Sequence, residues 1–507
     1  MAVTRAEIAA LLAAAQDHAF GQPPGAQLRA TVLGQHLARA AGEDLATTWW
    51  TSALRFLGCT GHAYDTAVVF GDEIELRARS LRMDAANPAE VLRVMIERAG
   101  PGTSGLGRLR AVLAVLAGGR KAAELNFRMA CEVADALAAR LGLDDAVRTA
   151  LAANFERWNG AGLPAGARGT AIPRPMRVAQ LAQELEVFAR IEGIDAALAV
   201  VRRRRGRSYD PQLADLVLAH AAGWWAEVEA ADPWSAALAL APPCVPLDAA
   251  ATREALLVLA DFADLKSPWF GGHSRAVAEL AGRACGPAAE AAALLHDLGR
   301  VAVPNTVWDK PGPLTRDERD RVETHPLVTD QLLRRVPHTA ALAATACAAH
   351  ERLDGSGYHR RLAGAQLDDA QRVLAAADVY QALVSDRPHR AALAPADAAA
   401  ALRAAAAAGR LDAEAVERVL AAAGHRRARP RRPAGLTARE VEVLRLLALG
   451  LTTRQVAQRL TVSPKTADHH VQHVYAKIGV STRGAAALFA VEHGLLRDGA
   501  GETRNSG

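Results

Sequence analysis

The sequence predicts an all-α protein in which two tandem helical bodies are followed by a small four-helix head. Half of its 507 residues are hydrophobic and only 4% are aromatic, so its cores must be built largely from Ala, Leu and Val on packed helices. Long Ala/Leu/Val-rich stretches read as buried helix. Thr437-x-x-Glu440, Thr452-x-x-Gln455 and Ser463-Pro464 are helix starts that cut the C-terminal stretch into four short helices.

The length suggests about three domains. A net charge of +5 and a pI near 9.1 allow an anionic partner without demanding one. Cys59, Cys131, Cys244, Cys285 and Cys347 are scattered, with no CxxC pair. That pattern predicts reduced thiols in a cytoplasmic protein and excludes a disulfide framework or zinc knuckle. Arg5 and Glu7 precede the first apolar run, which suits an amphipathic helix better than a signal peptide. No uncharged run is long enough to cross a bilayer, so no membrane partner is expected.

The first body, residues 1–245, follows the template of the second. ANFERWNGAGLPAGARGTAIPRPMRVAQLAQEL from Ala153 matches AHERLDGSGYHRRLAGAQLDDAQRVLAAADVY from Ala349, with Gly160 on Gly355 at an offset of 195. That offset carries His350 onto Phe155 and Asp378 onto Gln183. Upstream, ALRFLGC from Ala53 pairs with LLHDLGR from Leu294, which sets Arg55 and Phe56 against His296 and Asp297. His36 is the candidate match for His273, and Ala130 is the nearest by count to His325. The basic run Arg202–Arg205 suits a solvated helix face or an anion contact. Proline-rich ALAPPCVPLDAAAT marks the boundary between the bodies.

In the second body, residues 246–423, an apolar helix from Leu256 turns at SPWFGG, and His273 opens the next helix. His273, His296, Asp297, His325, His350 and Asp378 each interrupt a stretch that otherwise reads as buried. Unpaired, these imidazoles and carboxylates would be costly to bury; a shared divalent cation satisfies them together. Imidazole and carboxylate without thiolate fit iron, manganese or zinc.

HDLGRVAVPNTVWDKPGPLT, then HP, then HERLDGSGY, then AAADVYQALVSDRPHR resembles the HD-GYP branch of the HD-domain phosphohydrolases, over roughly Ala250 to Ala423. The resemblance implies an all-helical fold, a site for two or three iron or manganese ions, and hydrolysis of cyclic di-GMP. It also implies that His273, His296, Asp297 and Asp378 hold one metal and that Asp297 bridges to a second held by His325 and His350. Arg300, where the family has lysine, would face a phosphate and act with Asp297 in catalysis. Arg387 and Arg390 would approach the nucleotide. Ala349 replaces the first of two adjacent family histidines, so two ions are expected instead of three. Gly357-Tyr358-His359 replaces Gly-Tyr-Pro, and His359 is expected at the solvent surface. By the same resemblance the first body is a degenerate HD-GYP-like copy without the metal ligands.

Residues 424–435 read as a basic linker, and residues 436–500 as the head. In its third helix Ala467, Val471, Val474 and Ile478 form an apolar face, opposite Thr466, His469 or His470, His473 and Lys477. Polar and cationic groups on the outer face of the second helix of a helix-turn-helix suit the major groove, with Lys465 and Lys477 reaching phosphates or guanine edges. The segment resembles the LuxR-type (NarL/FixJ) DNA-binding domain, which implies a positioning helix at 453–460, a recognition helix at 464–477 and a last helix that supports dimerisation.

Together these readings predict a homodimeric transcription regulator that binds double-stranded promoter DNA and senses or hydrolyses a cyclic dinucleotide or other phosphoester. The alternatives are a cyclic di-GMP phosphodiesterase with an accessory DNA-binding domain, and a purely structural body that dimerises a DNA-binding head.

Overall fold

The computed structural model describes residues 2–100, 102, 104–424 and 433–496. Most of the expected basic linker (425–432) and the last expected residues of the head (497–500) lie outside these. The protein is all-α: the described residues form no β-strand, only isolated bridges such as Thr4 with Pro246. No described helix is long and apolar enough to cross a membrane.

The chain forms two compact units. One runs to Val258 and includes Val301–Thr306 and Arg335–His338; the other comprises Leu259–Arg300, Val307–Arg334 and the chain from Thr339 onward. The division falls inside helix Ala249–Asp264, later than the proline-rich boundary, because a continuous helix crosses from one core into the next.

The first unit starts at a capping box, in which Thr4 and Glu7 satisfy each other's end of helix Arg5–Ala19. Its core packs Leu33, Leu37, Leu181, Leu185, Leu213 and Trp225 from helices Ala26–Ala41, Arg174–Glu192 and Pro211–Ala230. Trp49 is wholly buried and donates its ring N–H to the Ala237 carbonyl at 2.9 Å.

The second unit contains helices His273–Cys285, Pro287–Leu295, His325–Leu333 and Asp369–Leu383, and then the head. The head's helices are Ala438–Ala448, Thr453–Arg459, Pro464–Ile478 and Arg483–Glu492. Both predicted capping boxes are formed, and Ser463 caps the third helix. Ala467, Val471 and Val474 enter the head's core, with Ile478 packed against it.

Local geometry recurs between the two halves of the chain. Gly160 and Gly355 have φ of +79° and +76°, where glycine avoids the Cβ penalty. Arg157 donates to the carbonyls of Asn154 and Glu156, as Arg352 does to those of Ala349 and Glu351. The Glu156 carboxylate accepts from the Ala165 amide, as Glu351 does from Arg360. Each of these pairs is separated by 195 residues. A Cβ on Gly58 would lie 1.8 Å from the carbonyl oxygen of Ala130, and one on Gly299 2.0 Å from that of His325. Ala130 therefore stands to Gly58 as His325 stands to Gly299.

The same comparison corrects the placing of His36. Asp17 accepts the amides of Gly25 and Gln27, and Asp264 accepts the amide and hydroxyl of Ser274, all at 2.8 Å. Gly25 and Gly272 are the left-handed caps of the helices that follow. Ala26 thus occupies the place that His273 holds. His36 lies later on its helix, 3.5 Å from Glu227 and stacked on Trp224, because a sequence match at one histidine carries no information about the cap that sets the register.

Candidate metal centre and nucleic-acid interface

Short helices and their ends bring the six predicted ligands together. His273 is the first residue after a glycine cap, and His296 ends helix Pro287–Leu295, with Asp297 next to it. His325 opens its helix, Asp378 lies inside helix Asp369–Leu383, and His350 sits in the turn after helix Pro337–Ala346. All six are between 0% and 7% exposed.

The arrangement is two groups that share one carboxylate. His273, His296, Asp297 and Asp378 form one, and Asp297, His325 and His350 the other, with donor atoms in each within 4.8 Å of one another. Asp297 Oδ2 lies 2.8 Å from His296 Nε2 and 3.4 Å from His273 Nε2. Asp297 Oδ1 lies 3.2 Å from His325 Nε2 and 3.4 Å from His350 Nε2. Asp378 Oδ1 faces His273 Nε2 at 3.2 Å.

The imidazoles are oriented from behind. His296 Nδ1 donates to the Ala293 carbonyl at 2.7 Å, and His325 Nδ1 to the Val322 carbonyl at 2.6 Å. Each ring therefore turns its Nε2 inward, the orientation that metal-binding histidines adopt. His296 Nε2 and Asp297 Oδ2 are buried without a hydrogen-bond partner of ordinary geometry. His325 Nε2 and His350 Nε2 approach to 2.9 Å. Inward ring nitrogens, a carboxylate with one oxygen toward each group, and buried polar atoms without ordinary partners fit a pair of divalent cations.

The charges are strongly coupled. Burial opposes ionisation of Asp297, yet Arg300 and His296 hold its carboxyl well below the usual range. Burial likewise opposes protonation of His296, but Asp297 pushes it up to about 10. His325 is pushed down to about 4, chiefly by burial.

Arg300 Nη2 lies 2.6 Å from Asp297 Oδ2, and its guanidinium lies over the Phe270 and Trp308 rings at 4.4 and 5.5 Å. Its Nε and Nη1 are buried without hydrogen-bond partners. Arg387 lies on Phe270 as well, at 5.2 Å, with Nη2 3.5 Å from His273 Nδ1. Arg390, expected to approach the nucleotide, points elsewhere. It donates to the carbonyls of Leu383, Ser385, Ala391 and Ala382, since a helix end leaves carbonyls that need donors.

His359, expected in solvent, is half-buried, with Nδ1 enclosed and unpartnered. Sequence reasoning missed Phe270 and Trp308 against Arg300, and Tyr358, whose ring stacks on His350 at 5.0 Å. It also missed Thr329, whose hydroxyl accepts the Gly299 amide and faces the His325 carbonyl at 3.0 Å. The aromatics of SPWF, TVWD and GYH stand in the sequence, but nothing local ties them to Arg300 or His350.

On the head's third helix Lys465, Thr466, His469 and His473 are exposed and His470 is half-buried. The rings of His469 and His473 lie 4.0 Å apart. Thr466 closes the cap with Ser463, hydroxyl to hydroxyl at 2.8 Å. Lys477, expected at phosphates or guanine edges, bonds the Glu440 carboxylate at 2.8 Å and the Gly435 carbonyl at 3.2 Å, which commits two of its donors to the head itself.

Residues 257–415 match the family model for an HD domain, and residues 434–490 that for bacterial regulatory proteins of the luxR family. The chain is 30% identical over 412 residues to the 3'3'-cGAMP-specific phosphodiesterase 3 of Vibrio cholerae, covering 78% of this chain and 89% of that protein. A segment of 105 residues, 20% of this chain and 27% of the relative, is 43% identical to the cyclic di-GMP phosphodiesterase response regulator RpfG of Xanthomonas campestris. Among solved structures, the cyclic GMP-AMP-specific phosphodiesterase V-cGAP3 of V. cholerae aligns with a TM-score of 0.56 at 26% identity, over 83% of this chain and 98% of that one.

Proposed function

The chain belongs to the HD-GYP-type branch of the HD-domain family and ends in a luxR-family regulatory domain; from that premise we propose that it is a DNA-binding transcription regulator whose second half is a metal-dependent phosphohydrolase or nucleotide-sensing domain acting on a cyclic dinucleotide. The observation that carries this reading is Asp297, which turns one oxygen toward His273 and His296 and the other toward His325 and His350.

His273, His296, Asp297 and Asp378 would hold one ion and Asp297, His325 and His350 the second, with iron, manganese or zinc compatible with the donor set. Bound divalent ions would acidify water and polarise phosphoryl oxygens. The chain's own groups do the rest. Arg300, held by the Phe270 and Trp308 rings, presents a planar fork beside Asp297 that pairs two oxygens of a phosphodiester. Arg387, packed on the same ring, adds a second cation. Tyr358 stacked on His350 limits the room for water at the second group.

On DNA, Lys465 meets phosphate while His469 and His473 face base edges; Lys477 serves chiefly to hold the head together. The recurrent geometry supports reading the first body as a degenerate HD-GYP-like copy, the homologous part of a four-part chain with boundaries near 245, 423 and 435. The five free cysteines suit a cytoplasmic setting.

The test is elemental analysis of anaerobically purified protein, followed by turnover of cyclic di-GMP and 3'3'-cGAMP and binding to duplex DNA. Metal at close to two ions per chain together with DNA binding supports the proposal; a metal-free chain overturns it. The phosphodiesterase relatives favour a second reading, an active cyclic di-GMP phosphodiesterase with an accessory DNA-binding head: a cyclic di-GMP enzyme matches over 105 residues, although the relative aligned over 78% of the chain is specific for 3'3'-cGAMP. Turnover with no nucleotide effect on DNA binding would select that one.

A further inference from the structure

Within the second unit a cavity of about 310 Å³ opens beside His273. Its walls come from two modules. The metal-binding body contributes Trp269, Tyr380, Ser385 and Asp386; the DNA-binding head contributes Arg445, Leu449 and Leu496. The head also rests on the turn that launches His273: a Cβ on Gly271 would lie 2.8 Å from Leu496 Cδ1, and one on Gly272 3.7 Å from a Val491 methyl. His273 therefore belongs both to the candidate metal centre and to the cavity lining, and the DNA reader supplies part of the same lining.

We propose that this cavity holds one nucleoside of a cyclic dinucleotide whose phosphate lies at the metal centre, so that a single ligand touches the metal-binding body and the DNA-binding head at once. The inference rests on the nucleotide reading above and adds the place where the ligand meets the head. At about 310 Å³ the cavity is at the small end of ligand pockets, which suits one nucleoside and not a whole cyclic dinucleotide. Flat rings from Trp269 and Tyr380 suit a base; Ser385 and Asp386 can bond its edge, and Arg445 brings positive charge to the head's side.

A ligand that touches both modules stabilises the state in which the head is seated on the body. The seating uses Val491, on the head's last helix, and Leu496 just beyond it, while Lys465, His469 and His473 stay exposed. Seated on the body, Val491 and Leu496 are withdrawn from any contact with a second head. The ligand therefore holds heads apart and weakens binding to a two-half-site operator. By linkage, operator DNA weakens ligand binding by the same factor.

The experiment uses the full, metal-loaded chain, a DNA duplex it selects from a random pool, and phosphorothioate analogues of cyclic di-GMP and 3'3'-cGAMP that resist hydrolysis. For the wild type, a saturating analogue lowers DNA affinity at least fivefold, and the duplex lowers analogue affinity by the same factor. Ser385→Trp fills the cavity from the body and Leu449→Trp from the head, so that a folding defect in one module cannot explain both. Each weakens analogue binding at least tenfold and removes the effect on DNA, while DNA affinity without nucleotide stays within twofold. If both variants bind the analogue as the wild type does, or the wild type binds it with DNA affinity unchanged, the cavity proposal is overturned alone. A wild type that binds neither analogue overturns it together with the nucleotide reading.

Discussion

The two halves of the chain keep the same backbone devices and differ in the six side chains that those devices present. Gly58 packs on the Ala130 carbonyl as Gly299 does on that of His325, and Asp17 pins the next helix as Asp264 does. Where the second half sets His296, Asp297, His350 and Asp378, the first has Arg55, Phe56, Phe155 and Gln183. Phe155 stacks on Phe127 at 4.1 Å, and Arg55 reaches Asn154 at 2.8 Å. An apolar stack and a guanidinium–amide pair replace a site for cations. The difference teaches that such a scaffold stands without its metal ligands, since helix caps and close backbone approach build it, whereas its chemistry depends on a few residues.

The largest expected effect tests that separation. Asp297→Ala removes the carboxylate common to both groups, so metal content by elemental analysis should fall below about a tenth of wild type, as loss of a bridging ligand implies. Phe56→Ala, at the matching place, should cost about 3–5 kcal/mol of stability by cavity formation and leave metal content unchanged. If Asp297→Ala retains its metal, the side chain at this place is not what separates the two halves.

Next come the matched glycines. A methyl at Gly58 or Gly299 meets a backbone carbonyl that cannot swing away. Each alanine variant should lose about 3 kcal/mol in chemical denaturation. Only Gly299→Ala should also release metal, because the carbonyl it strikes belongs to His325. A Gly58→Ala chain as stable as wild type would break the comparison on the scaffold side.

A smaller effect separates two lysines of the head. Lys465→Ala should weaken DNA binding and reduce the slope of log affinity against log salt by about 1, the signature of one lost phosphate contact. Lys477→Ala should lower the head's melting temperature and leave the slope in place, because its ammonium is spent on Glu440 and Gly435. Equal slopes for wild type and Lys465→Ala would remove Lys465 from the phosphate contacts.

How far all this was legible in the sequence follows from the range of the forces involved. The head's helices were readable because caps such as Thr437 with Glu440 are local. The six candidate ligands, which the fold brings together, were readable because a polar group in an oily stretch stands out whatever it touches. What His36, Arg390 and Lys477 touch was not readable, because their partners, Glu227, the carbonyls that end helix Asp369–Leu383, and Glu440, are brought to them by packing. Phe270 and Trp308 leave no polar mark in the sequence, so their hold on Arg300 emerges only in three dimensions.

The smallest expected effect is a pH slope that the halves should share. Burial is the leading influence on both pinning carboxyls: it pushes Asp17 up to about 8 and Asp264 up to about 7, against the amide and hydroxyl bonds that favour ionisation. A folded-state pKa above the unfolded value of 3.8 means the native state holds its proton more tightly. The stabilisation from this source is therefore complete below pH 3.8 and is lost as pH rises through about 7 and 8. Between pH 6 and 9 the wild type should lose thermal stability, and Asp17→Asn, which cannot ionise, should show a Tm slope shallower by roughly 2–4 °C across that range. An Asp17→Asn chain with the wild-type slope would mean that the Gly25 and Gln27 amides keep Asp17 ionised in the fold, so that the shared device is an ion held by backbone amides and no longer a buried acid.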